Sequence, residues 1–252
     1  MELTGKRALI TGGARGLGYA MAQLFIARGA KVAIADLDEA ATKAAAATLG
    51  ENAIGLRMDV TNPQDVQDGI AATVAAFGGI DVLVNNAGIE VTMPLTATPD
   101  DVFAKVHDVN VKGTFYGIKY VVPAMVASGG GAIINLSSIA GLSGVPTQIA
   151  YSSSKGAVLQ LTRVASAELR GSGIRVNSIC PGIIQTKMVE ALTADMKNIL
   201  GADLNEVVTQ AQGRMGTPED IAEVAAFLAS DDASFVTGSA YVVDNGLVAS
   251  TL

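Results

Sequence analysis

The chain has little of several residue types. Its 252 residues include no Trp, 4% aromatic residues and 16% charged residues, against about 25% charged in an average soluble protein. The single cysteine, Cys180, excludes an intramolecular disulfide. We expect it to be a small buried side chain in a reducing compartment, the cytoplasm. A chain of this length buries about three-quarters of its unfolded surface and needs no disulfide to fold.

Basic residues and long hydrophobic runs are also scarce. Seventeen Lys and Arg against 24 Asp and Glu leave a net charge of −7, so nucleic-acid binding is not expected. The uncharged stretch from Tyr120 to Ser154 is broken by Pro123 and by Gly129–Gly131 and never has 18 consecutive apolar residues. We therefore expect no membrane span and, from the N-terminal composition, no signal peptide. No Pro- or Ser-rich linker divides the sequence, which predicts one domain over residues 1–252.

What is present is an alternation of short aliphatic runs and longer helical patterns. Seven strands are predicted, at Arg7–Thr11, Lys31–Ala35, Ala53–Met58, Ile80–Asn85, Ala132–Leu136, Arg175–Ile179 and Ala240–Val243. Helices are predicted at Leu17–Arg28, Gln64–Phe77, Val111–Ala127, Lys155–Arg170 and Glu219–Ala229. N-caps are expected at Asn62, Thr98 and Thr217, and glycine C-caps at Gly29 and Gly171. The pattern predicts an α/β fold, a doubly wound parallel sheet with helices on both faces.

A glycine-rich segment, Thr11 to Gly18, directly follows the first predicted strand and opens the first helix. Glycines at positions 12, 16 and 18 permit a tight turn and a close approach of the backbone to a pyrophosphate, which the helix N-terminus would bind. The second strand ends at Asp36, 18 residues beyond Gly18, a spacing at which an acid hydrogen-bonds the adenine ribose. The segment therefore predicts a dinucleotide site.

Further polar residues lie at the ends of other predicted strands. They are Asp59-Val60, Asn85–Gly88, Ser137-Ser138 and Pro181-Gly182. Ligands of open parallel sheets bind at these carboxyl ends. Tyr151 and Lys155 are four residues apart, so on a helix they share one face.

Together these motifs resemble the short-chain dehydrogenase/reductase family, specifically its single-domain subgroup of about 250 residues with a Rossmann-type sheet. The resemblance covers essentially the whole chain. It is carried by the TGxxxGxG loop at Thr11–Gly18, NNAG at Asn85–Gly88, Asn110, Ser138 thirteen residues before Tyr151, Tyr-x-x-x-Lys, and Pro181-Gly182.

The resemblance implies a role for each matched residue. Tyr151 would be the general acid/base, Ser138 would orient the substrate carbonyl, and Lys155 would hold the nicotinamide ribose and lower the phenol pKa. Asn110 would hold a water that links Lys155 to solvent, and Ser137 is the alternative to Ser138. The cofactor, NAD, would contact Gly12, Arg15, Gly16, Leu17, Gly18, Asp36, Leu37, Asp59, Val60, Asn86, Ala87, Gly88, Tyr151, Lys155, Pro181, Gly182, Ile184 and Thr186. A homotetramer is implied, and no metal.

The chemistry of hydride transfer is consistent with these roles. A ketone that receives a hydride becomes an alkoxide, which needs a proton donor and a second hydrogen bond. A phenol titrates near 10, and moving its pKa to about 7 takes roughly 4 kcal/mol, for which nearby positive charges have the correct sign. We therefore expect an NAD-dependent dehydrogenase or reductase of secondary alcohols and ketones.

Two other functions remain open. The first is reduction of 3-oxoacyl-carrier substrates with NADPH, which Arg15 would favour and which Asp36 opposes, because a 2′-phosphate beside it costs on the order of 4 kcal/mol per charge. The second is a catalytically silent dinucleotide sensor, which should have lost Ser138, Tyr151 or Lys155.

The substrate is predicted from the pocket segments, Ile139–Gln148 and a helical lid over residues 185–215. These are largely apolar and have no convergent Arg or Lys to bind a carboxylate, and Lys187 is expected to be solvated, so we expect a neutral, hydrophobic, cyclic or steroid-like molecule. His107, the single histidine, is expected to have a surface or helix-packing role.

Overall fold

The computed structural model describes residues 1–190 and 204–249. Within these residues, seven parallel strands form one sheet in the order β3-β2-β1-β4-β5-β6-β7. The strands are β1 (Arg7–Thr11), β2 (Lys31–Asp36), β3 (Ala53–Arg57), β4 (Val82–Asn85), β5 (Gly131–Leu136), β6 (Ile174–Pro181) and β7 (Ala240–Val243). This is the predicted doubly wound sheet.

Helices cover both faces of the sheet. They are α1 (Gly16–Ala27), α2 (Glu39–Leu49), α3 (Pro63–Phe77), α4 (Asp100–His107), α5 (Gly113–Ala127), α6 (Ile149–Leu169), α7 (Leu204–Ala211) and α8 (Pro218–Ala229). One π-helical turn, Asp108–Lys112, joins α4 to α5. Single 3-10 turns lie at Leu95–Ala97, Ile139–Gly141, Arg170–Ser172, Asp231–Ala233 and Leu247–Ala249.

The strands are apolar on consecutive positions because each face packs on its own helices. On one face Ile10 and Ile34 pack with Phe25 of α1 and Ile221 of α8. On the other face the alternate strand positions, such as Leu9, pack with α3 and α5. A strand that is covered on both sides needs apolar side chains at consecutive positions, which is why the aliphatic runs predict strands.

The sheet order brings the functional loops together. All strands run in one direction, so their carboxyl ends lie at one edge. The chain order reverses between β1 and β4, which are neighbours in the sheet although α1 to α3 separate them in sequence. Such a reversal opens a crevice where ligands of doubly wound sheets bind.

Some predicted boundaries are wrong. Thr98 is not an N-cap, because its hydroxyl donates to the Pro94 carbonyl at 3.1 Å and Pro99 occupies the cap position of α4. Gly171 lies inside a 3-10 turn, and the left-handed residue that ends this segment is Gly173, with φ +70°. Asn62, Thr217 and Gly29 were predicted correctly.

The helix that carries Tyr151 and the predicted lid have other boundaries in the structure than in the prediction. Helix α6 starts at Ile149 rather than Lys155, so Tyr151 lies within it. Of the predicted lid over 185–215, residues 187–190 and α7 are helical, and 191–203, including Leu192, lie outside the described residues. Across the ranges 1–190 and 204–249, no helix has the length and apolar character that crossing a membrane requires.

Candidate active site

The glycine-rich segment forms a cradle between β1 and α1. Gly12 and Gly16 adopt φ of +63° and +55°, a left-handed conformation that side chains disfavour. A Cβ on Gly18 would lie 2.3 Å from the Gly12 carbonyl oxygen, so only glycine fits there. Helix α1 begins at Gly16, and its N-cap residue Arg15 gives no side-chain cap. The backbone at this helix N-terminus is therefore open to an anion such as a pyrophosphate.

Hydrogen bonds fasten this cradle to the loop after β4. The Thr11 hydroxyl accepts from the backbone N–H groups of Asn86 and Ala87 at 3.0 and 3.1 Å. The Asn86 amide donates back to the carbonyls of Thr11 and Gly12 at 2.9 and 3.0 Å. The two loops at the reversal of strand order are thus one rigid unit.

The acidic residues lie at the ends of β2 and β3. Asp36 is the last residue of β2, and the next residue, Leu37, has 62% of its surface exposed. Arg57 is the neighbour of Asp36 in the sheet register, and its guanidinium is paired with Asp65 of α3. Asp59 accepts from the backbone and hydroxyl of Thr61 at 2.9 and 2.7 Å, which shapes the turn that carries Val60.

Tyr151, Ser138 and Lys155 meet at the ends of β5 and α6. The Ser138 hydroxyl accepts from the Ala140 N–H at 3.1 Å and lies near enough to the Tyr151 phenol to lower its pKa. The Lys155 Nζ donates to the Leu136 carbonyl at 2.7 Å and lies 5.6 Å from the centroid of the Tyr151 ring. The predicted sharing of one helix face is confirmed for this pair.

Ser137, the alternative to Ser138, points elsewhere. Its hydroxyl donates to the Lys155 carbonyl at 2.9 Å, on the far side from the phenol's proposed substrate contact. Ser137 therefore fastens β5 to α6, and Ser138 is the serine beside the phenol.

The pKa of Tyr151 shifts in the direction opposite to the one that the sequence predicts. Burial raises the pKa of Tyr151, the Glu90 charge raises it further, and the Ser138 hydrogen bond offsets part of this. Burial lowers the pKa of Lys155 to about 8, against an opposing effect of Glu90. The expected lowering of the phenol pKa is wrong for the chain alone, because desolvation of the phenolate outweighs the favourable contacts.

Asn110 lies within the π-helical turn, almost fully buried. Its amide donates to the Ile89 carbonyl and the Ser154 hydroxyl, and its Oδ1 accepts from the Ile89 N–H, each at 2.9 Å. Such turns recur at functional sites because they shift the helix register by one residue. Here the shift lets one amide hold both the loop after β4 and helix α6.

The segment after β6 lies across the cradle. Pro181 ends β6, and the Gly182 N–H donates to the Val243 carbonyl at 2.9 Å. Ile184 pairs with Gly216, and the Thr186 methyl lies 3.9 Å from where a Gly16 Cβ would be. The structure thus brings the predicted residues from all these strand ends to one edge of the sheet.

Three functional candidates were missed by the sequence analysis. The buried Gln212 side chain binds the Ile183 N–H and carbonyl and the Arg214 carbonyl, at 2.8, 2.9 and 2.8 Å, which holds the Pro181–Thr186 segment. Glu90 and Gln148 hydrogen-bond each other beside Tyr151. The position of Glu90 two residues after the NNAG motif was the available signal.

The remaining polar residues singled out have structural surroundings. His107 stacks on Phe103 with 4.3 Å between ring centroids, and its Nε2 lies 3.0 Å from the Ser153 hydroxyl. Cys180 is fully buried in β6, and Lys187 is exposed. These placements agree with the packing, apolar and solvated roles expected of them.

Comparison with known proteins identifies the relatives of the chain. The family model described as "Enoyl-(Acyl carrier protein) reductase" matches residues 12–248. The chain is 41% identical over 252 residues to 2,5-dichloro-2,5-cyclohexadiene-1,4-diol dehydrogenase of Sphingobium indicum, covering 98% of this chain and 99% of that one. It is 41% identical to 2-(R)-hydroxypropyl-CoM dehydrogenase of Xanthobacter autotrophicus, covering 96% and 98%. It is 40% identical to 3-alpha-(or 20-beta)-hydroxysteroid dehydrogenase of Mycobacterium tuberculosis, covering 98% and 91%.

The fold has a match among solved structures as well. The crystal structure of levodione reductase superposes with a TM-score of 0.94 at 34% identity, covering 98% of this chain and 99% of that one. Relatives of this similarity and coverage, with a family model over most of the chain, leave one assignment. The chain belongs to the short-chain dehydrogenase/reductase family and is an oxidoreductase of alcohols and ketones.

Proposed function

We propose that the chain is an NAD-dependent dehydrogenase that interconverts a neutral, hydrophobic secondary alcohol and its ketone. In the oxidative direction the carbinol C–H bond breaks with transfer of a hydride, and the O–H proton passes to Tyr151. In the reductive direction both transfers reverse. The observation that carries the proposal is the buried Tyr151 phenol with Ser138 and the buried Lys155 beside it, next to the glycine cradle.

Each residue of the trio has a distinct task. Tyr151 and Ser138 present two hydroxyl groups to one substrate oxygen, as an alkoxide or carbonyl requires. Lys155 holds a proton at Nζ at neutral pH, where its pKa of about 8 keeps it mostly charged. Asn110 holds Ile89 and Ser154 by hydrogen bonds and thereby fixes the loop after β4 against the helix that carries Lys155.

The direction of the Tyr151 pKa shift has a mechanistic consequence. A raised pKa keeps the phenol protonated in the chain alone, which is the form that donates a proton during ketone reduction. Alcohol oxidation needs the phenolate, whose formation is favoured by added positive charge beside Tyr151. The oxidised nicotinamide ring, which accepts the hydride, carries such a charge when bound.

The chain's own residues fit a nicotinamide dinucleotide. In the cradle, Gly12 and Gly18 have no room for a Cβ and Gly16 adopts φ +55°, so glycines keep the backbone N–H groups of the turn open to a pyrophosphate. A Cβ on Gly88 would approach the Lys155 Nζ to 3.4 Å, so glycine leaves space above the ammonium for a ribose. Asp59, Val60, Ala87, Ile184 and Thr186 line the same edge of the sheet and would complete the contacts.

NAD rather than NADP is supported by Asp36. Its carboxylate stands at the end of β2 where an adenine ribose would bind, and Leu37 offers no cation beside it. Arg57, the adjacent cation in the register, is already paired with Asp65. Arg15 is exposed, and a surface ion pair to a phosphate would contribute about 1 kcal/mol or less.

The substrate class is supported by apolar side chains around the site. Leu142 and Met188, in the two segments from which the pocket is predicted, are 43% and 39% exposed, and apolar side chains of this kind suit a pocket lined mainly by apolar groups. The named substrates of the relatives include a cyclic diol and hydroxysteroids. We therefore extend the proposal to cyclic substrates.

The proposal is tested by a panel of secondary alcohols, cyclohexanols and hydroxysteroids with NAD and with NADP, read by absorbance of the reduced cofactor. Turnover of cyclic alcohols with NAD supports it. Selective turnover of a 3-oxoacyl thioester with NADPH would instead establish the carrier-substrate alternative. Cofactor binding without turnover of any substrate would establish the silent sensor.

The chain is also proposed to work as one domain and as a homotetramer. The proposed site residues lie in the strands, helices and loops that surround one edge of a single sheet, which supports a single functional unit. The predicted cytoplasmic location stays a prediction.

A further inference from the structure

A buried amide side chain holds the segment that follows β6. Gln212 comes directly after α7 and is 2% exposed. Its Oε1 accepts from the Ile183 N–H at 2.8 Å, and its Nε2 donates to the carbonyls of Ile183 and Arg214 at 2.9 and 2.8 Å. Both N–H donors of the amide and its oxygen are therefore engaged, and all of them bind backbone groups.

The same segment packs directly against this amide and against the chain after β7. A Cβ on Gly182 would lie 2.5 Å from the Gln212 Oε1 and 2.8 Å from the Asp244 Cβ. The Gly182 N–H donates to the Val243 carbonyl at 2.9 Å, and the Asn245 Nδ2 donates to the Gln212 carbonyl at 2.7 Å. Gln212 therefore fastens the segment after β6 between α7 and the residues that follow β7.

These bonds also decide which way the backbone of the segment points. Ile184 pairs with Gly216 in parallel, through the Gly216 N–H to the Ile183 carbonyl and the Gln185 N–H to the Gly216 carbonyl, both at 2.9 Å. In such a pairing the bonds are made by the two residues that flank Ile184. The backbone groups of Ile184 itself therefore point away from Gly216, and the Gln212 amide holds them there by fixing Ile183.

The order of the strands places this segment at one end of the proposed cofactor site. The adenine ribose is proposed at Asp36, which ends β2, and the pyrophosphate at the cradle after β1. The proposed hydride transfer takes place beside Tyr151 and Ser138, and Ser138 lies just beyond the end of β5. A dinucleotide that extends across these strand ends brings its nicotinamide to β5 and its neighbour β6. The Pro181–Thr186 segment leaves β6 at this place.

We propose that Gln212 is a positioning residue for the nicotinamide end of the cofactor, which acts by fixing the backbone of Ile183 and Ile184. A segment that is already ordered binds a ligand more tightly, because binding does not have to order it. The inference rests on the proposed function and adds to it a residue that acts on the cofactor only through the segment it holds. Gln212 is not a catalytic residue, since its polar atoms are directed at the backbone.

Two substitutions separate the parts of this anchor. Gln212→Leu keeps the approximate size and removes all three side-chain hydrogen bonds, which leaves the Ile183 N–H and the Arg214 carbonyl without this partner. Gln212→Glu keeps an oxygen that can accept from the Ile183 N–H. When its carboxyl group is ionised it has no donor for the two carbonyls, and when it is protonated it has one.

The charges around this position favour the protonated form of that carboxyl group. The Asp244 carboxylate accepts from the N–H groups of Gly246 and Val248 at 2.9 and 2.8 Å, and the Arg214 guanidinium is paired with Asp220. A carboxyl group buried near the Asp244 charge has its pKa raised by desolvation and by repulsion. Its protonated fraction should therefore increase between pH 8 and pH 6.

The test measures binding of NADH and of ADP-ribose by isothermal titration calorimetry. ADP-ribose contains the adenosine, the pyrophosphate and the second ribose of the cofactor, and it lacks the nicotinamide. The unmodified protein should bind NADH more tightly than ADP-ribose. Gln212→Leu should weaken NADH binding by about tenfold, as expected for the loss of buried hydrogen bonds, while the dissociation constant of ADP-ribose stays within about twofold.

Gln210→Leu is the matched control, because Gln210 is an exposed residue of α7 two positions earlier. It makes the same chemical change and should leave both dissociation constants within about twofold. For Gln212→Glu, the NADH dissociation constant relative to that of the unmodified protein should fall severalfold from pH 8 to pH 6, because protonation restores one donor. The same ratio for ADP-ribose should stay constant.

Several results would overturn the inference. Equal weakening of NADH and ADP-ribose in Gln212→Leu would mean that Gln212 supports the fold and positions nothing, and unchanged binding of both would mean that the segment does not need the amide. Equal affinities of the unmodified protein for the two ligands would show that the segment does not hold the nicotinamide. If Gln212→Leu does not fold, a pH-independent NADH ratio for Gln212→Glu overturns the inference by itself. Failure of the unmodified protein to bind either ligand would instead refute the proposed cofactor site, and the inference with it.

Discussion

At the scale of single residues, the chemistry of the site depends on the protonation of two buried neighbours, Tyr151 and Lys155. Tyr151 and Lys155 lie on one face of α6, and burial moves the phenol pKa up and the ammonium pKa down. Both shifts favour the neutral form of the side chain. The chain alone therefore holds a proton on the phenol and holds the ammonium proton only weakly.

The first prediction concerns the phenol. Tyr151→Phe removes the proposed proton donor and leaves the ring in place, so turnover should fall by about 10²–10⁴-fold. Cofactor affinity, measured by fluorescence titration of the reduced cofactor, should stay within severalfold because the cradle is unchanged. Near-normal turnover in this variant would remove Tyr151 from the proposed mechanism.

The second prediction concerns the stability of the chain without ligand. The Lys155 pKa is about 8 in the folded chain and 10.5 as its ordinary value, so the unfolded state binds more protons between these values. Stability contributed by this group therefore rises with pH across that window. The free energy of unfolding of the unmodified protein minus that of Lys155→Met should increase by about 2 kcal/mol from pH 7 to pH 9.5.

Urea unfolding at several pH values measures this difference, and the subtraction removes groups common to both proteins. A difference that is flat or falls with pH would mean that the ammonium is not desolvated in the folded state.

At the scale of elements, the ends of the strands decide which ligand fits. Asp36 ends β2 next to the glycine cradle after β1, and Asp59 follows the end of β3. The carboxylate of Asp36 can accept both ribose hydroxyls of NAD, and the same carboxylate would repel a 2′-phosphate.

The third prediction follows from this strand end. A 2′-phosphate brings a charge of about −1.5 to −2, by analogy with other phosphate monoesters, and the repulsion after solvent screening is about 2–3 kcal/mol. We expect kcat/KM to favour NAD over NADP by at least tenfold. Asp36→Ser should narrow the gap mainly by improving NADP use, whereas Arg15→Ser should widen it slightly. Equal specificity constants in the unmodified protein would show that Arg15 governs the pocket.

The sequence predicts elements and motifs better than it predicts partnerships between loops. The aliphatic runs are strands because both faces are covered, and Tyr151 and Lys155 meet because four residues make one helical turn. The Glu90–Gln148 pair and the Gln212 contacts depend on which loops become neighbours in the folded sheet. No local spacing encodes that adjacency, so these contacts could not be predicted from the sequence.

Local hydrogen bonds also explain why some helices begin at other residues than predicted. The Thr98 hydroxyl donates to the Pro94 carbonyl instead of capping α4, although Thr98 precedes Pro99 and two aspartates as an N-cap residue commonly does. The helix predicted from Val111 begins at Gly113, and the π-helical turn before it reflects the contacts of the Asn110 side chain with two other segments.

At the scale of the whole molecule, large apolar side chains remain on the outer surfaces of several helices and near the C-terminus. Phe103, Phe115 and Val164 of α4, α5 and α6 are 39%, 43% and 48% exposed, and Phe235 is fully exposed. Exposed apolar groups of this size commonly mark contacts between subunits. They support the proposed homotetramer.

The fourth prediction concerns this assembly. Light scattering at micromolar concentration should give the mass of a tetramer. Replacing Phe115 and Val164 together by Ser should lower that mass without lowering the helix content seen by circular dichroism. A monomeric mass for the unmodified protein would refute the proposed assembly.

The order of the strands also has a consequence for synthesis of the chain. Strands β1, β2 and β3 emerge early and can pair at once, yet the second neighbour of β1 is β4, which begins at Val82. Until that strand leaves the ribosome, β1 is an open edge that presents unpaired backbone groups and the apolar Ala8, Leu9 and Ile10. The nascent chain is therefore open to aggregation at this edge during the interval, and arrival of β4 both pairs β1 and brings Asn86 to the glycine cradle.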